Sequence, residues 1–245
     1  MARTLAIYEP KGRALEYSPL ACNLYSGCIH GCKYCYGPKV LYRKREVFHG
    51  FSKPRDNILK QVEKDCRTME GDEREILLCF TCDPYQPGGL DETTRKALLI
   101  FEKYNMKVQV LTKGGNRAAR DFDILKRNNW KFGTTLIFVD NALQREWEPN
   151  AASLLDRVNA IKEAKKQGIY TWVSVEPVID TEQALMVMKS LIDYVDFWKV
   201  GKINYDKRYD VKIDWKKFVD DTRAILPEDK YYIKKDTLEA ARRIE

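Results

Sequence analysis

Three cysteines in one short segment carry the first chemistry that this sequence suggests. Cys28, Cys32 and Cys35 follow the spacing C-x3-C-x2-C, with Tyr34 directly before the last cysteine. A cubane iron–sulfur cluster has four irons, and electron-transfer clusters are usually held by four thiolates. Three cysteines therefore leave one iron open to a ligand that the protein does not supply. An open iron is a place where a bound molecule can react.

The same cysteines also fit a structural zinc site, in which Cys22 or His30 supplies the fourth ligand. Zinc ribbons normally draw their ligands from two separate C-x2-C pairs. Here Cys79 and Cys82 form a single C-x2-C, without a second pair near it. The spacing favours an iron–sulfur cluster, and a zinc-stabilised nucleic-acid-binding module without catalysis is the alternative.

Length and composition favour one α/β domain over residues 1–245. The seven cysteines cluster in short segments rather than spreading as a disulfide framework, which is typical of a reducing compartment. The sequence has no apolar run of about 18 residues and no signal peptide in its first residues. We therefore expect a cytoplasmic protein that does not enter a membrane.

The net charge of +7 is concentrated after the cysteine segment, because residues 33–67 contain ten Lys or Arg against four acidic residues. Aromatic residues interleave with these cations: Tyr34, Tyr36, Tyr42, Phe48 and Phe51. Cations suit phosphate contacts and aromatic rings suit base stacking, so this stretch is compatible with a DNA or RNA substrate. A solvated helix surface would have a similar composition.

Apolar runs rich in β-branched residues alternate with amphipathic stretches, which indicates repeated βα units around a parallel sheet. The predicted strands are 19–27, 76–82, 107–112, 132–138, 169–176 and 195–203, with a seventh apolar run at Tyr231–Ile233. The predicted helices are 55–69, 91–104, 118–128, 151–167, 181–191 and 214–224. The sequence thus predicts a partial (βα)6 barrel.

Functional loops of such folds follow the carboxyl ends of the strands, and these ends are polar here. The predicted strand ends supply carboxylates, a cation and hydroxyls: Thr81, Asp83, Lys113, Thr134, Ser174 and Glu176. An amino acid chelated to an iron needs this mixture, because its carboxylate requires a donor and its ammonium group an acceptor.

The cysteine motif and these segments together resemble the radical S-adenosylmethionine (SAM) superfamily and, within it, the spore photoproduct lyase-like branch. The similarity runs from about residue 18 to residue 203. It includes Thr81–Pro87, Thr112-Lys113 and Ser174–Pro177 in the family's order. The resemblance implies a TIM-like partial barrel with a [4Fe-4S] cluster on Cys28, Cys32 and Cys35. It also implies reductive cleavage of SAM to a 5′-deoxyadenosyl radical.

The resemblance further implies which residues bind SAM. Tyr34 is expected beside the adenine, and Thr81 and Asp83 beside the amino group. Lys113 is expected at the carboxylate, and Thr134 and Ser174 at the ribose or methionine portion. Glu176 belongs to the same expected cofactor site.

Spore photoproduct lyase returns a hydrogen atom to its product radical from a cysteine on the second strand. In this chain Cys79 and Cys82 lie there. Strand alternation predicts that they point to opposite faces, so only one would face the barrel interior. We favour Cys82, which lies at the strand tip, although Cys79 is nearer the family spacing. Tyr36 is expected to relay a hydrogen atom.

We therefore expect a radical SAM enzyme that acts on a nucleic acid, by lyase-like DNA repair or by base modification. A peptide or a small metabolite is the alternative substrate. The resemblance also implies an electron donor such as flavodoxin or ferredoxin.

Overall fold

The computed structural model describes residues 5–88, 92–204 and 211–243. Its strands are β1 (Ile7–Tyr8), β2 (Leu20–Cys22), β3 (Tyr25–Ser26), β4 (Lys53–Pro54), β5 (Glu75–Leu78), β6 (Lys107–Thr112), β7 (Lys131–Thr135), β8 (Tyr170–Val178), β9 (Phe197–Lys202) and β10 (Tyr231–Ile233). Its α-helices are α1 (Gly37–Val40), α2 (Arg45–His49), α3 (Ile58–Thr68), α4 (Thr93–Lys103), α5 (Phe122–Arg127), α6 (Asn141–Trp147), α7 (Leu154–Lys166), α8 (Thr181–Leu191), α9 (Trp215–Ile225) and α10 (Lys235–Arg242). Among the described residues, no helix combines the length and the apolar character needed to cross a membrane.

The main sheet has the order β1-β2-β5-β6-β7-β8-β9-β10, and every pair from β2 to β10 is parallel. β1 is antiparallel to β2 at one edge, while β3 and β4 form a separate antiparallel pair. This arrangement confirms the predicted partial barrel, and β10 confirms the added seventh strand. The carboxyl ends of the central strands lie side by side, since Thr112 pairs with Thr134 and Thr135 with Ser174.

Some predicted bounds are wrong, and the errors lie where polar or short segments weaken the periodic signal. The first predicted strand divides into β2 and β3, and the second ends at Leu78 instead of residue 82. The predicted helix 118–128 is a 3-10 helix at Gly115–Asp121 followed by α5. The predicted helix start at residue 91 lies outside the described residues. Helices α1, α2, α6 and α10 are too short to show a clear period.

The barrel interior is filled by residues that sequence patterns do not single out. Gly133 on β7 leaves room for the Trp172 indole of β8, because a Cβ at position 133 would lie 2.3 Å from the Trp172 ring. The Tyr17 ring lies against Trp172 with 6.1 Å between centroids, and the Gln109 side-chain amide donates to the Tyr17 carbonyl at 3.1 Å. The segment before β2 therefore packs into the barrel.

Candidate functional site

The cysteine loop is held on one side by α2. The Cys28 N–H donates to the Phe48 carbonyl at 3.1 Å. The Arg45 guanidinium donates to the Cys32 carbonyl at 2.5 Å and to the Cys35 carbonyl at 3.1 Å. Backbone groups of all three cysteines are therefore fixed by hydrogen bonds to one short helix.

Two other parts of the barrel hold the same loop. Gln86, which follows β5, accepts the Ile29 N–H at 2.8 Å through its side-chain oxygen. At the end of α6, the Trp147 carbonyl accepts the Lys33 N–H at 2.8 Å. The Asn150 amide donates to the Ile29 carbonyl at 2.9 Å. The loop is thus positioned by tertiary contacts from three separate parts of the barrel.

Burial makes the three thiols of the loop weak acids in the free protein. It raises the pKa of Cys28 and Cys35 above the usual value and that of Cys32 to about 12. Thiolate is the form that binds metal, so loading must displace these protons.

The residues considered as a fourth zinc ligand have other surroundings. Cys22 is fully buried in the hydrophobic core on β2, near Cys66 of α3. His30 is also buried, and its Nδ1 lies 3.5 Å from the Asp83 carboxylate. Burial lowers the pKa of His30 to about 4, despite the opposing effect of Asp83. The chemistry of this donor set, three thiols from one loop, fits an iron–sulfur cluster, in which one iron would remain open to another ligand.

Asp83 connects the ends of β5 and β6 beside the cysteine loop. Its carboxylate accepts the Thr112 hydroxyl at 2.6 Å, the Lys113 N–H at 2.7 Å and the Tyr85 N–H at 2.8 Å. With His30 next to it, the carboxylate is surrounded by groups of the protein itself. These bonds give Asp83 a positioning role, and its expected place beside the SAM amino group stays a prediction.

Lys113 projects from the end of β6 toward Tyr34, with its Nζ 5.5 Å from the centre of the Tyr34 ring. Burial would lower the pKa of Lys113, but Cys32, Glu148 and Asp83 outweigh burial and raise it. The ammonium group therefore stays charged at neutral pH. A retained cation beside the cysteine loop can attract a carboxylate ligand.

Sequence reasoning missed the buried pair that fixes Tyr34. The Tyr34 hydroxyl donates to Glu148, whose other oxygen accepts the Arg157 guanidinium at 2.5 Å. Both charged side chains are completely buried, and Arg157 also donates to the Thr135 carbonyl at 2.9 Å. Burial would raise the pKa of Glu148, but Arg157 and Lys113 lower it. No local spacing links these residues, so no sequence pattern indicates the pair.

Each of the two predicted threonines is hydrogen-bonded to a neighbouring segment of the chain. The Thr81 N–H donates to the Asn23 side-chain oxygen at 2.8 Å, which holds the loop after β5 against the segment after β2. The buried Thr134 hydroxyl donates to the Thr112 carbonyl at 2.7 Å. The Thr134 proton therefore bonds to the neighbouring strand, and its oxygen keeps acceptor capacity.

Ser174 and Glu176 form a separate group around Tyr17. The Tyr17 hydroxyl lies 2.7 Å from the Ser174 hydroxyl and donates to the Glu176 carboxylate at 2.6 Å. The Lys234 ammonium donates to the same carboxylate at 3.1 Å. Burial and the Glu176 charge raise the pKa of Tyr17 well above its usual value. Sequence reasoning missed Tyr17 and Lys234, which come from opposite ends of the chain.

The prediction that Cys79 and Cys82 point to opposite faces is wrong. β5 ends at Leu78, so the alternation of a strand does not extend to these cysteines. Both are nearly buried, at 5% and 9% exposure, and the two side chains are close enough to interact with each other. Burial raises the pKa of Cys82 well above the usual value, so its sulfur stays protonated at neutral pH.

Tyr36 lies between the cysteine loop and these two thiols. Its hydroxyl donates to the Phe80 carbonyl at 2.8 Å, and 38% of its surface is exposed. Burial of the hydroxyl, followed by the nearby Cys35 and Glu176, raises the pKa of Tyr36. The Tyr36 hydroxyl is also close enough to Cys82 to interact with it, and the role of Tyr36 as a hydrogen-atom relay stays a prediction.

The interleaved aromatic residues do not form one stacking surface. Phe48 is completely buried, and the Tyr34 ring stacks on Trp147 at 6.5 Å between centroids. Tyr42 is 97% exposed. The composition of this stretch suits base stacking, but Phe48 and Tyr34 are packed against other parts of the protein and not arranged in an exposed row.

The chain matches the family model described as the radical SAM superfamily over residues 22–188. An uncharacterized protein of Methanocaldococcus jannaschii is 24% identical over 220 residues, covering 81% of this chain and 82% of the relative. The radical SAM Nalpha-GlyT isomerase of Pseudomonas phage M6 is 38% identical over 160 residues. That match covers 63% of this chain but only 32% of the phage protein.

Solved structures with the same fold include spore photoproduct lyase complexed with dinucleoside spore photoproduct. It is 16% identical with a TM-score of 0.68, over 95% of this chain and 81% of the lyase. Streptococcus suis SuiB bound to S-adenosylmethionine is 14% identical with a TM-score of 0.66. This second match covers 92% of this chain and 52% of SuiB.

Proposed function

The chain belongs to the radical SAM superfamily, whose cofactors are a [4Fe-4S] cluster and SAM, and from this we propose an enzyme that abstracts a hydrogen atom from a nucleic-acid substrate. Cys28, Cys32 and Cys35 would hold the cluster. The observation that carries the proposal is the three-thiol loop, whose backbone is held by hydrogen bonds and which has the charged Lys113 ammonium and the Tyr34 ring beside it. We also propose that residues 1–245 act as one domain in the reducing cytoplasm.

When bound, the two cofactors supply a carbon radical that takes a hydrogen atom from the substrate. The residues of this chain orient the cofactors for that step. Lys113 supports binding by attracting the SAM carboxylate, and Asp83 holds the Lys113 backbone in place. Tyr34, fixed by Glu148, would form a wall of the SAM site.

We propose that Cys82 returns a hydrogen atom to the substrate radical. In that step the S–H bond of Cys82 breaks, a C–H bond forms, and the unpaired electron remains on sulfur. Burial supports the assignment, because it keeps the sulfur as a thiol and not a thiolate. A further hydrogen atom, taken from the adjacent Cys79 thiol or from the Tyr36 phenol, would restore the Cys82 thiol. The unpaired electron would then lie on the group that gave up the hydrogen atom.

Two observations support a nucleic acid as the substrate class. The net charge is +7, which favours polyanionic partners. The lyase with the same fold was solved in complex with a dinucleoside spore photoproduct. Repair of a lesion and modification of a base both begin with hydrogen abstraction.

The proposed chemistry is tested by anaerobic reconstitution with iron and sulfide, followed by dithionite and SAM. Formation of 5′-deoxyadenosine is expected, and Cys32→Ala should abolish both iron binding and cleavage. Cys66→Ala is the matched control, because Cys66 is a buried cysteine of the core. Protein that binds zinc but no iron or labile sulfide would overturn the proposal in favour of the zinc module.

The substrate class is tested by adding irradiated DNA, undamaged DNA or tRNA to the working assay. A nucleic-acid product and an affinity that weakens with salt are expected, because phosphate contacts release counterions. SAM cleavage without any change in the nucleic acid, together with salt-insensitive binding, would favour a peptide or small metabolite instead.

A further inference from the structure

The two short helices after the cysteine loop expose a cluster of large apolar side chains. Val40 and Leu41 are each 41% exposed, Val47 is 55% exposed and Tyr42 is 97% exposed. The four lie within eight residues, on α1, α2 and the turn between these two helices, which contact each other. Single exposed apolar residues are normal on a protein surface, whereas a contiguous group marks an interaction site.

Tyr42 adds an independent sign that this surface has a role beyond folding. Its φ angle is 52°, in the left-handed region that bulky residues rarely adopt. A strained residue normally persists because other contacts over-determine it, and strain concentrates at functional sites. Here the Tyr42 side chain is almost wholly in solvent, so packing in the protein interior does not explain why the strained conformation persists.

The apolar group has a positively charged rim. Apart from Arg45, whose guanidinium is bonded to the cysteine loop, residues 39–55 contain five cations, Lys39, Arg43, Lys44, Lys53 and Arg55, against one acidic residue, Glu46. The Arg43 guanidinium donates to the Ser26 hydroxyl at 3.0 Å, which places Arg43 beside the β3–β4 pair that exposes Lys53. An apolar centre with a cationic rim complements an acidic protein surface.

The same surface is directly connected to the cysteine loop. Arg45 and Phe48 of α2 hydrogen-bond the backbone of the loop cysteines, and the His49 ring bonds the Cys28 carbonyl at 2.8 Å. A protein seated on α1 and α2 is therefore separated from the loop by about one helix diameter, ~10 Å. This distance is short enough to make the face a suitable entry for an electron.

We propose that this α1–α2 face, comprising Val40, Leu41, Tyr42, Arg43, Lys44 and Val47, is the docking surface for an acidic one-electron carrier protein of the flavodoxin or ferredoxin class. The proposal rests on the proposed function, which requires an electron for SAM cleavage. The carrier is oxidised by one electron and the cluster is reduced by one. The aliphatic centre argues against nucleic acid at this face, because Val40, Leu41 and Val47 cannot bond phosphates. The small patch suits the limited interfaces of transient redox complexes.

The test compares two reductants on the same reconstituted enzyme. SAM cleavage is driven either by dithionite, a small molecule that needs no docking surface, or by reduced flavodoxin or ferredoxin. The variants are Lys44→Glu, which reverses a rim charge, and Tyr42→Asn, which removes the ring with a residue that tolerates a positive φ. Lys166→Glu on α7 is the matched charge control at an exposed lysine.

Both variants should weaken binding of the carrier to the reconstituted enzyme by about tenfold, measured by isothermal titration calorimetry, and should lower kcat/KM for the carrier to a similar extent, while the dithionite rate stays within about twofold of wild type. Lys166→Glu should change neither rate. Carrier-driven cleavage that is unchanged in both variants would overturn the proposal, as would a wild-type enzyme that only dithionite can reduce. A loss of DNA affinity in Lys44→Glu with unchanged carrier kinetics would assign the face to nucleic acid. Failure of dithionite itself would instead overturn the proposed function.

Discussion

At the scale of single residues, the site is defined by side chains whose protonation depends on burial. Lys113 remains charged beside the cysteine loop because Cys32, Glu148 and Asp83 outweigh its burial. Cys82 remains a neutral thiol because burial dominates its surroundings. The proposed reaction needs both of these protonated forms. The Lys113 cation would bind a carboxylate, and the S–H bond of Cys82 would supply a hydrogen atom to a radical.

The two candidate hydrogen donors can be separated by substitution. We expect Cys82→Ala to leave dithionite-driven formation of 5′-deoxyadenosine intact. It should change how the substrate radical is quenched, because the proposed hydrogen-atom donor is lost. Cys79→Ala is the matched control, and it should alter the product distribution less. Mass spectrometry of the products measures both. An unchanged product distribution in Cys82→Ala would remove this cysteine from the mechanism.

Lys199 gives a pH-dependent prediction that is independent of the reaction. Burial lowers its pKa to about 8, so above that pH the folded chain releases a proton that the unfolded chain still binds. The free energy of unfolding should therefore rise from about pH 8 to about pH 10, by up to a few kcal/mol. Urea denaturation of wild type and Lys199→Met measures this, because the difference between them isolates Lys199. Parallel pH profiles would contradict the shifted pKa.

At the scale of elements, α2 has two roles on its two sides. One side binds the backbone of the cysteine loop through Arg45 and Phe48, and the other presents Val47 to solvent. Gln86 and Asn150 support the same loop from β5 and from the end of α6. Hydrogen bonds from the ends of separate elements thus hold this loop in place of the regular backbone hydrogen bonds of a helix or strand.

The importance of α2 for the loop is testable through Arg45. Arg45→Met should lower the iron bound per chain after reconstitution, because the carbonyls of Cys32 and Cys35 lose a charged donor worth about 1.5–3 kcal/mol per bond. Arg43→Met is the control, since Arg43 bonds Ser26 outside the loop. Iron and sulfide analysis measures the effect. Equal iron in both variants would show that the other supports suffice.

At the scale of the whole molecule, the open sheet gathers residues from distant parts of the chain at one edge. Tyr17, Glu176 and Lys234 meet from the start, the middle and the end of the described chain. Asp83 and Lys113 meet across the ends of β5 and β6. Ligand binding at this edge must therefore stabilise the barrel as a unit.

SAM should raise the melting temperature of the anaerobically reconstituted protein. At a concentration about a hundredfold above its Kd, a ligand adds about 2.7 kcal/mol to the free energy of unfolding. For a chain of this size that raises the melting temperature by about 5–10 °C. Lys113→Met should lose most of this shift, because the SAM carboxylate loses its cation. Lys107→Met, at an exposed lysine of the same strand, should keep it. Scanning fluorimetry under nitrogen makes the comparison, and equal shifts in both variants would exclude Lys113 from SAM binding.

The superfamily and the parallel barrel could be predicted from the order of residues alone, and the same order suggests the cluster ligands as a hypothesis. Each rests on short-range information, because ligand spacing within one loop and hydrophobic periodicity within one element are visible in the order of residues. The family match and the observed sheet confirm the superfamily and the fold. The roles of the individual site residues stay predictions.

Only the tertiary structure decided which partners these residues have. Tyr34 bonds Glu148 across 114 positions of sequence, and Tyr17 bonds Glu176 across 159. The strand end at Leu78 decided that Cys79 and Cys82 contact each other. No local pattern encodes such meetings, because they depend on how the whole sheet curves and which strand ends become neighbours.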